Sequence, residues 1–140
     1  MSKNKQLLIV DDDRNTREGY RTYLSGKGFD VRALDGGVDA LEFAKAAGPD
    51  LVVLDLGLPD IDGWEVARRL KGDDVTRAIP IIAFSGRSMQ HEQVSALRAG
   101  CDVYLTKPCA PDKLLGAVRK LLGMEERTPT RPEEDQPDPY

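Results

Sequence analysis

No stretch of the chain is apolar for long. The longest purely aliphatic runs are Leu7 to Val10 and Leu51 to Leu54, far short of the roughly 20 residues that a membrane-spanning helix needs. No leader is expected either. After Met1-Ser2-Lys3-Asn4-Lys5, only Gln6 to Val10 precede three aspartates, which leaves no apolar region of signal-peptide length. A cytoplasmic location with no membrane partner is therefore expected. Cysteine is scarce: Cys101 and Cys109 are the only two, without CxxC spacing and with no histidine beside them. Inert reduced thiols fit this better than a disulfide framework or a zinc site. The one histidine, His91, falls on an expected exposed helix and reads as a solvated side chain. Basic charge is not in excess either. The net charge of −4 comes from residues 124–140, with six acids and two bases, while residues 1–123 balance at 18 of each. That balance argues against a broadly basic surface, so no nucleic-acid partner is expected.

What remains is an ordinary globular mixture. At 140 residues, 40% apolar and 31% charged, the chain is long enough for one domain with a single core. Residues 124–140 hold four of the nine prolines and almost no large aliphatics, so they cannot bury enough surface to offset their ordering entropy. The expectation is a domain over 1–123 followed by a disordered, acidic, proline-rich tail.

Within 1–123, short β-type runs alternate with helix-type segments. Leu7 to Val10, Phe29 to Ala33, Leu51 to Leu54, Ile79 to Phe84 and Val103 to Thr106 read as five strands, and the unbroken apolar character of several predicts burial on both faces. Asn15 with Glu18, and Asp62 with Glu65, resemble capping-box helix starts. Leu114, Leu115, Val118, Leu121 and Leu122 trace the stripe of an amphipathic last helix, with Gly123 as its stop. Between Ser88 and Ala99 only Met89, Val94 and Leu97 are sizeable apolar residues, which predicts the most thinly packed helix. Trp64 shares a face with Ala67 and Leu70, a spacing that favours the core. Strict β-α alternation implies right-handed crossovers and an α/β fold with a parallel sheet covered on both sides. In such sheets ligands bind beyond the carboxyl ends of the strands, where the strand order reverses.

Those ends carry the chemistry. The first strand runs into Asp11-Asp12-Asp13, the third into Asp55, the fourth reaches Ser85-Gly86 and the fifth Lys107-Pro108. If the first and third strands are neighbours, Asp11, Asp12 and Asp55 converge. Carboxylates about 4 Å apart repel by several kcal/mol at an effective dielectric near 20, so the cluster calls for a countercharge. Oxygen-only ligands favour Mg²⁺ or Mn²⁺ over zinc. Such an ion could draw a phosphoryl group toward one carboxylate acting as nucleophile, while Lys107 neutralises phosphoryl oxygens and Ser85 donates to one. Alone, each residue has a structural explanation. Asp13 reads as a loop acid or helix cap, and Asp60, Asp62 and Gly63 as turn and cap residues. The joint placement of Asp11, Asp12, Asp55, Ser85 and Lys107 at four strand ends favours function for those five.

Val10-Asp11-Asp12, Asp55 followed by Leu58-Pro59 and Asp62-Gly63, Ser85-Gly86 and Lys107-Pro108 resemble the receiver domain of two-component response regulators over roughly residues 5 to 123. The resemblance implies a flavodoxin-like, doubly wound (βα)5 fold with five parallel strands in the order 2-1-3-4-5. It makes Asp55 the phosphate acceptor, Asp11 and Asp12 the acidic pair for Mg²⁺ (or Mn²⁺), and the Gly57 carbonyl the last protein ligand of the metal. Ser85 takes the place of the switch hydroxyl, Lys107 that of the family's lysine with a Lys-Pro bond that can be cis, and Tyr104 that of the aromatic whose position reports phosphorylation. Tyr104 equally fits half-buried packing in a strand. The implied donor is a phosphohistidine on a sensor histidine kinase or a histidine phosphotransfer protein. The implied output is a downstream protein that reads the face of the fourth helix, fifth strand and fifth helix. Because no output-domain pattern follows Gly123, the expected form is a stand-alone switch rather than an enzyme. Gly57 and Arg87 fill the two variable places that influence dephosphorylation in relatives, and Cys109 replaces a bulky apolar residue.

Two other readings stay open on the sequence. Asp11-x-Asp13 after a strand has the look of the opening motif of haloacid-dehalogenase-type phosphatases, with Asp11 as nucleophile, although Asn15 stands where Thr or Val is usual and the later acidic motif is missing. A receiver fold used as a phosphorylation-independent scaffold is the other. A flavin site is disfavoured because three acids at the first turn repel a phosphate.

Overall fold

The computed structural model describes residues 4–86 and 90–124, apart from the side chains of 90–93. Five strands alternate with five helices: β1 (Gln6–Val10), α1 (Arg14–Ser25), β2 (Asp30–Leu34), α2 (Gly37–Ala47), β3 (Leu51–Asp55), α3 (Gly63–Gly72), β4 (Ile81–Ser85), α4 (Gln90–Arg98), β5 (Val103–Thr106) and α5 (Pro111–Leu121). The sheet order is β2-β1-β3-β4-β5 and every pairing is parallel. Val10 stands opposite both Leu34 and Leu54, Asp55 opposite Phe84, and Ser85 opposite Thr106. The register thus brings all five carboxyl ends to one edge.

Side chains alternate across the central strands with a period of two. Leu8, Val10, Val52, Leu54, Ile81 and Ala83 share one core with Ala40 and Ala44 of α2 and Val66 and Leu70 of α3. Leu7, Ile9, Leu51, Val53, Ile82 and Phe84 share the other with Leu24 of α1 and Leu114 and Val118 of α5. Uninterrupted burial of β3 and β4 explains their continuous apolar sequences. The edge strand β2 is exposed or half-buried throughout. Among the described residues, no helix is long and apolar enough to cross a membrane.

Several boundaries differ from the sequence expectation. The N-cap of α1 is Asp13, whose carboxylate accepts from the Thr16 N–H at 2.9 Å and the Thr16 hydroxyl at 2.6 Å. Asn15 instead lies inside the first turn, because the chain already turns as it leaves β1. Asp62 does cap α3, through the Trp64 N–H, but Glu65 closes no capping box. Its carboxylate pairs with Arg68 at 2.8 Å and Arg69 at 2.9 Å. β4 begins at Ile81 rather than Ile79, since Pro80 has no N–H for the ladder and the Ile79 N–H turns back to the Thr76 carbonyl. β2 begins one residue late, at Asp30. α5 ends as expected, with Gly123 just beyond it at φ 69°. In α4 Ala96 is buried, whereas Val94 and Leu97 are exposed, consistent with thin packing. Arg87, Ser88, Met89 and residues 125–140 lie outside the described residues, as does the His91 side chain.

Candidate functional site

β1 and β3 are neighbours, so the chain leaving β1 at Asp11 and the last residue of β3, Asp55, face one cleft where the strand order reverses. The Asp11 N–H prolongs the β1–β2 ladder by donating to the Leu34 carbonyl at 3.1 Å. Asp11 and Asp55 are buried, at 2% and 6% exposure, and Asp12 is exposed. One carboxylate oxygen from each of the three lies within 4.8 Å of the others. Backbone amides orient two of them: the Asp13 N–H donates to Asp11 Oδ1 at 2.9 Å and the Gly57 N–H to Asp55 Oδ1 at 3.1 Å.

Lys107 enters from the far side of the sheet. Its N–H donates to the Ser85 carbonyl at 2.7 Å, and its peptide bond to Pro108 is cis. The ammonium donates to Asp11 Oδ2 at 2.8 Å and stands 3.6 Å from Asp55 Oδ2. Burial pushes the Asp55 carboxyl above the usual carboxylate range, with the charges of Asp11 and Asp12 adding to it against the Gly57 N–H and Lys107. For Lys107, burial opposes the charge, but the Asp11 hydrogen bond and the Asp55 and Asp11 charges outweigh it and hold the ammonium above its ordinary range. Among the described residues, one lysine pairs with this group of three carboxylates, which leaves their negative charge under-compensated. A hard divalent cation suits this set: oxygen donors only, close enough to share one ion, and one of them exposed so that water positions remain. Gly57 stands beside the Asp55 carboxylate, where an added Cβ would lie 3.8 Å from Oδ1.

The loop from β3 to α3 forms the opposite wall. Gly63 closes it: a Cβ there would lie 2.5 Å from the Leu56 Cα and 2.7 Å from the Asp55 carbonyl, so only glycine permits this approach. Gly57, Asp60, Asp62, Trp64 and Ser85 line a cleft of about 370 Å³ beside the carboxylates. Trp64 is half-buried and packs on the same core as Ala67 and Leu70. Ser85 is buried at the end of β4, and Tyr104 is half-buried in β5 against the α2–α3 side of the core. Asp60 turns to the N-terminus of α2, where it accepts from the Gly37 and Val38 N–H groups at 2.9 and 3.1 Å. Asp13 is committed to capping α1, which removes the second aspartate that a dehalogenase-type mechanism would need. Cys101 and Cys109 are buried free thiols, both pushed up by burial, Cys101 to about 11.

Two residues that the sequence reading passed over hold backbone carbonyls at or next to the site. The Arg17 guanidinium donates to the Asp11 carbonyl at 2.9 Å, and the Tyr20 hydroxyl donates to the Cys109 carbonyl at 2.6 Å. Their signal was helical spacing: Arg17 and Tyr20 fall seven and four residues before the buried Leu24, on the inward face of α1.

The sequence and the fold resemble those of known proteins. A model of the response regulator receiver domain matches residues 7–119. Response regulator MprA of Mycobacterium avium (strain 104) is 42% identical over 132 residues, covering 93% of this chain and 54% of that protein. MprA of Mycobacterium leprae (strain TN) is 44% identical over 119 residues, 84% of this chain and 50% of the relative. The chain thus spans about half the length of these curated relatives. Among solved structures, one described as a response regulator from Chloroflexus aurantiacus superposes with a TM-score of 0.83 at 32% identity, over 86% of this chain and 99% of that one. The receiver domain of a sensor histidine kinase from Pseudomonas aeruginosa, with magnesium coordinated in its active-site cleft, gives 0.80 at 26% identity, over 86% and 98%. Matched over most of its length in sequence and fold, the chain belongs to the response regulator receiver domain family.

Proposed function

We propose that this chain is a phosphorylation-controlled switch in two-component signalling, with Asp55 as phosphoryl acceptor. The observation that carries the reading is the convergence of Asp11, Asp12 and Asp55 within 4.8 Å on an ammonium 2.8 Å from Asp11 and 3.6 Å from Asp55. The carboxylates of Asp11, Asp12 and Asp55, with the Gly57 carbonyl, would hold Mg²⁺ or Mn²⁺. When bound, the ion supplies positive charge that offsets the phosphoryl group's own.

The steps belong to the chain's side chains. The Gly57 N–H orients Asp55 by holding Oδ1, which leaves Oδ2 to attack phosphorus. A phosphohistidine donor loses its P–N bond as the O–P bond to Asp55 forms, and the imidazole nitrogen takes up a proton. Lys107 then exchanges part of its contact with Asp55 for the phosphoryl oxygens, and the Ser85 hydroxyl donates to another of them. Ser85 and Tyr104 would move together toward the esterified site. That movement shifts the population toward a state in which the α4–β5–α5 face binds a downstream protein. The donor would be a sensor histidine kinase or a histidine phosphotransfer protein, and the functional unit residues 1–123. The chain acts as acceptor and switch rather than as an enzyme releasing a product.

The test is incubation with acetyl phosphate and Mg²⁺, read by intact mass. Wild type should gain one phosphoryl group, and Asp55→Asn and chelator-treated protein none. Undiminished labelling of Asp55→Asn would overturn the assignment.

A further inference from the structure

Two side chains of α1, one turn apart, reach the loops that carry the two ends of the central ion pair. Arg17 holds the Asp11 carbonyl at 2.9 Å. Tyr20 holds the carbonyl of Cys109 at 2.6 Å, two residues beyond Lys107. The Tyr20 ring also lies 5.4 Å from the Phe84 ring, centroid to centroid, and the Lys107 ammonium stands 5.8 Å from that same Phe84 centroid. Tyr20 is therefore bonded to the backbone that anchors Lys107 and packed on the aromatic ring beside its charged end. It touches neither the carboxylates nor the place of a phosphoryl group.

We infer that Tyr20 is a positioning residue for Lys107, so that α1 sets how far the ammonium reaches toward Asp55 and an incoming phosphoryl group. This rests on the phosphoryl-acceptor reading above. Lysine is a point charge on a flexible four-carbon stem, and its usefulness in the transition state depends on where its backbone and stem are held. The β4–β5 ladder ends at the Lys107 N–H on the Ser85 carbonyl, and two residues further on the Tyr20 hydroxyl provides a side-chain hydrogen bond that ties the Cys109 carbonyl to α1. Removing that bond loosens the backbone after Lys107, while the Lys107 N–H on Ser85 and the ring contact with Phe84 survive.

The discriminating variant is Tyr20→Phe, which keeps the ring and deletes the hydroxyl. Its rate of phosphoryl uptake from acetyl phosphate should fall by about threefold to tenfold, the range expected for one lost hydrogen bond. The Mg²⁺ dissociation constant, read from the fluorescence of the single tryptophan Trp64, should stay within twofold of wild type, because the carboxylates are untouched. In the Lys107→Ala background, where beryllofluoride affinity replaces the rate if labelling is too slow, Tyr20→Phe should add no further loss. Uptake at the wild-type rate, a matching loss of Mg²⁺ affinity, or a full additional loss without Lys107 would each overturn the inference. Failure of wild type to label at all would instead sink the acceptor assignment, so the two outcomes are distinct.

Discussion

Asp55 carries a charge that the fold itself disfavours. Burial and its two acidic neighbours hold its carboxyl above the usual range, so the folded state binds that proton more tightly than the unfolded chain does. Stability from this group is present at low pH and is lost as pH rises through the folded value. At neutral pH without metal, Asp55→Asn should therefore melt at a higher temperature than wild type. The advantage should shrink on acidification toward pH 4 and on addition of Mg²⁺. Thermal melts in chelator and in millimolar Mg²⁺ check both trends; a destabilised variant in chelator would contradict the charge assignment. The same sign applies to Cys101, 4% exposed, with its thiol raised from 9.0 to about 11. It should resist thiol reagents at neutral pH. Between about pH 9 and 11 the unfolded chain ionises first, so wild type should lose up to about 3 kcal/mol relative to Cys101→Ala. Parallel stability curves for the two proteins across that window would refute it.

Among the elements, α2 depends on a residue outside itself. Its N-cap, Gly36, offers no side-chain acceptor, and Asp60 from the β3–α3 loop serves in its place. The loop that shapes the acceptor cleft is thus tied to a neighbouring helix. Close approach is part of the joint: a Cβ on Gly37 would lie 2.3 Å from Ile61 Cγ2 and 2.8 Å from Val66 Cγ2. Gly37→Ala should cost about 1–3 kcal/mol by overpacking, and Asp60→Ala should destabilise the fold by removing the acceptor. Denaturant unfolding measures both, and an unaffected Gly37→Ala would show that the joint is loose. Neither role was legible in the sequence, where Asp60 reads as a turn and cap residue and nothing singles out Gly37. Trans-capping leaves no local pattern, because donor and acceptor are 23 residues apart. The sequence offered both Asp13, as a loop acid or helix cap, and Asn15, as a capping-box start: both have a capping side chain, and only the path of the chain out of β1 decides for Asp13.

For the whole molecule, the elements that define the fold were legible because burial on two faces leaves the central strands apolar, and five β-type runs separated by helical segments admit few topologies. Strand order determines the site. Once β1 lies beside β3, the acids after Val10 and at Asp55 must meet, and Lys107 has one edge of the sheet to reach them from. The contacts of Arg17 and Tyr20 with backbone carbonyls left no motif, since any residue can supply a carbonyl. Among the described residues, the architecture holds three carboxylates in one cleft against one lysine, a balance that favours a hard cation. The most direct test is to locate the ester. After incubation with acetyl phosphate and Mg²⁺, borohydride reduction converts an aspartyl phosphate to homoserine, and peptide mapping identifies the position. The account predicts homoserine at position 55 alone; conversion at Asp11 or Asp12, or at no residue of the chain, would contradict it.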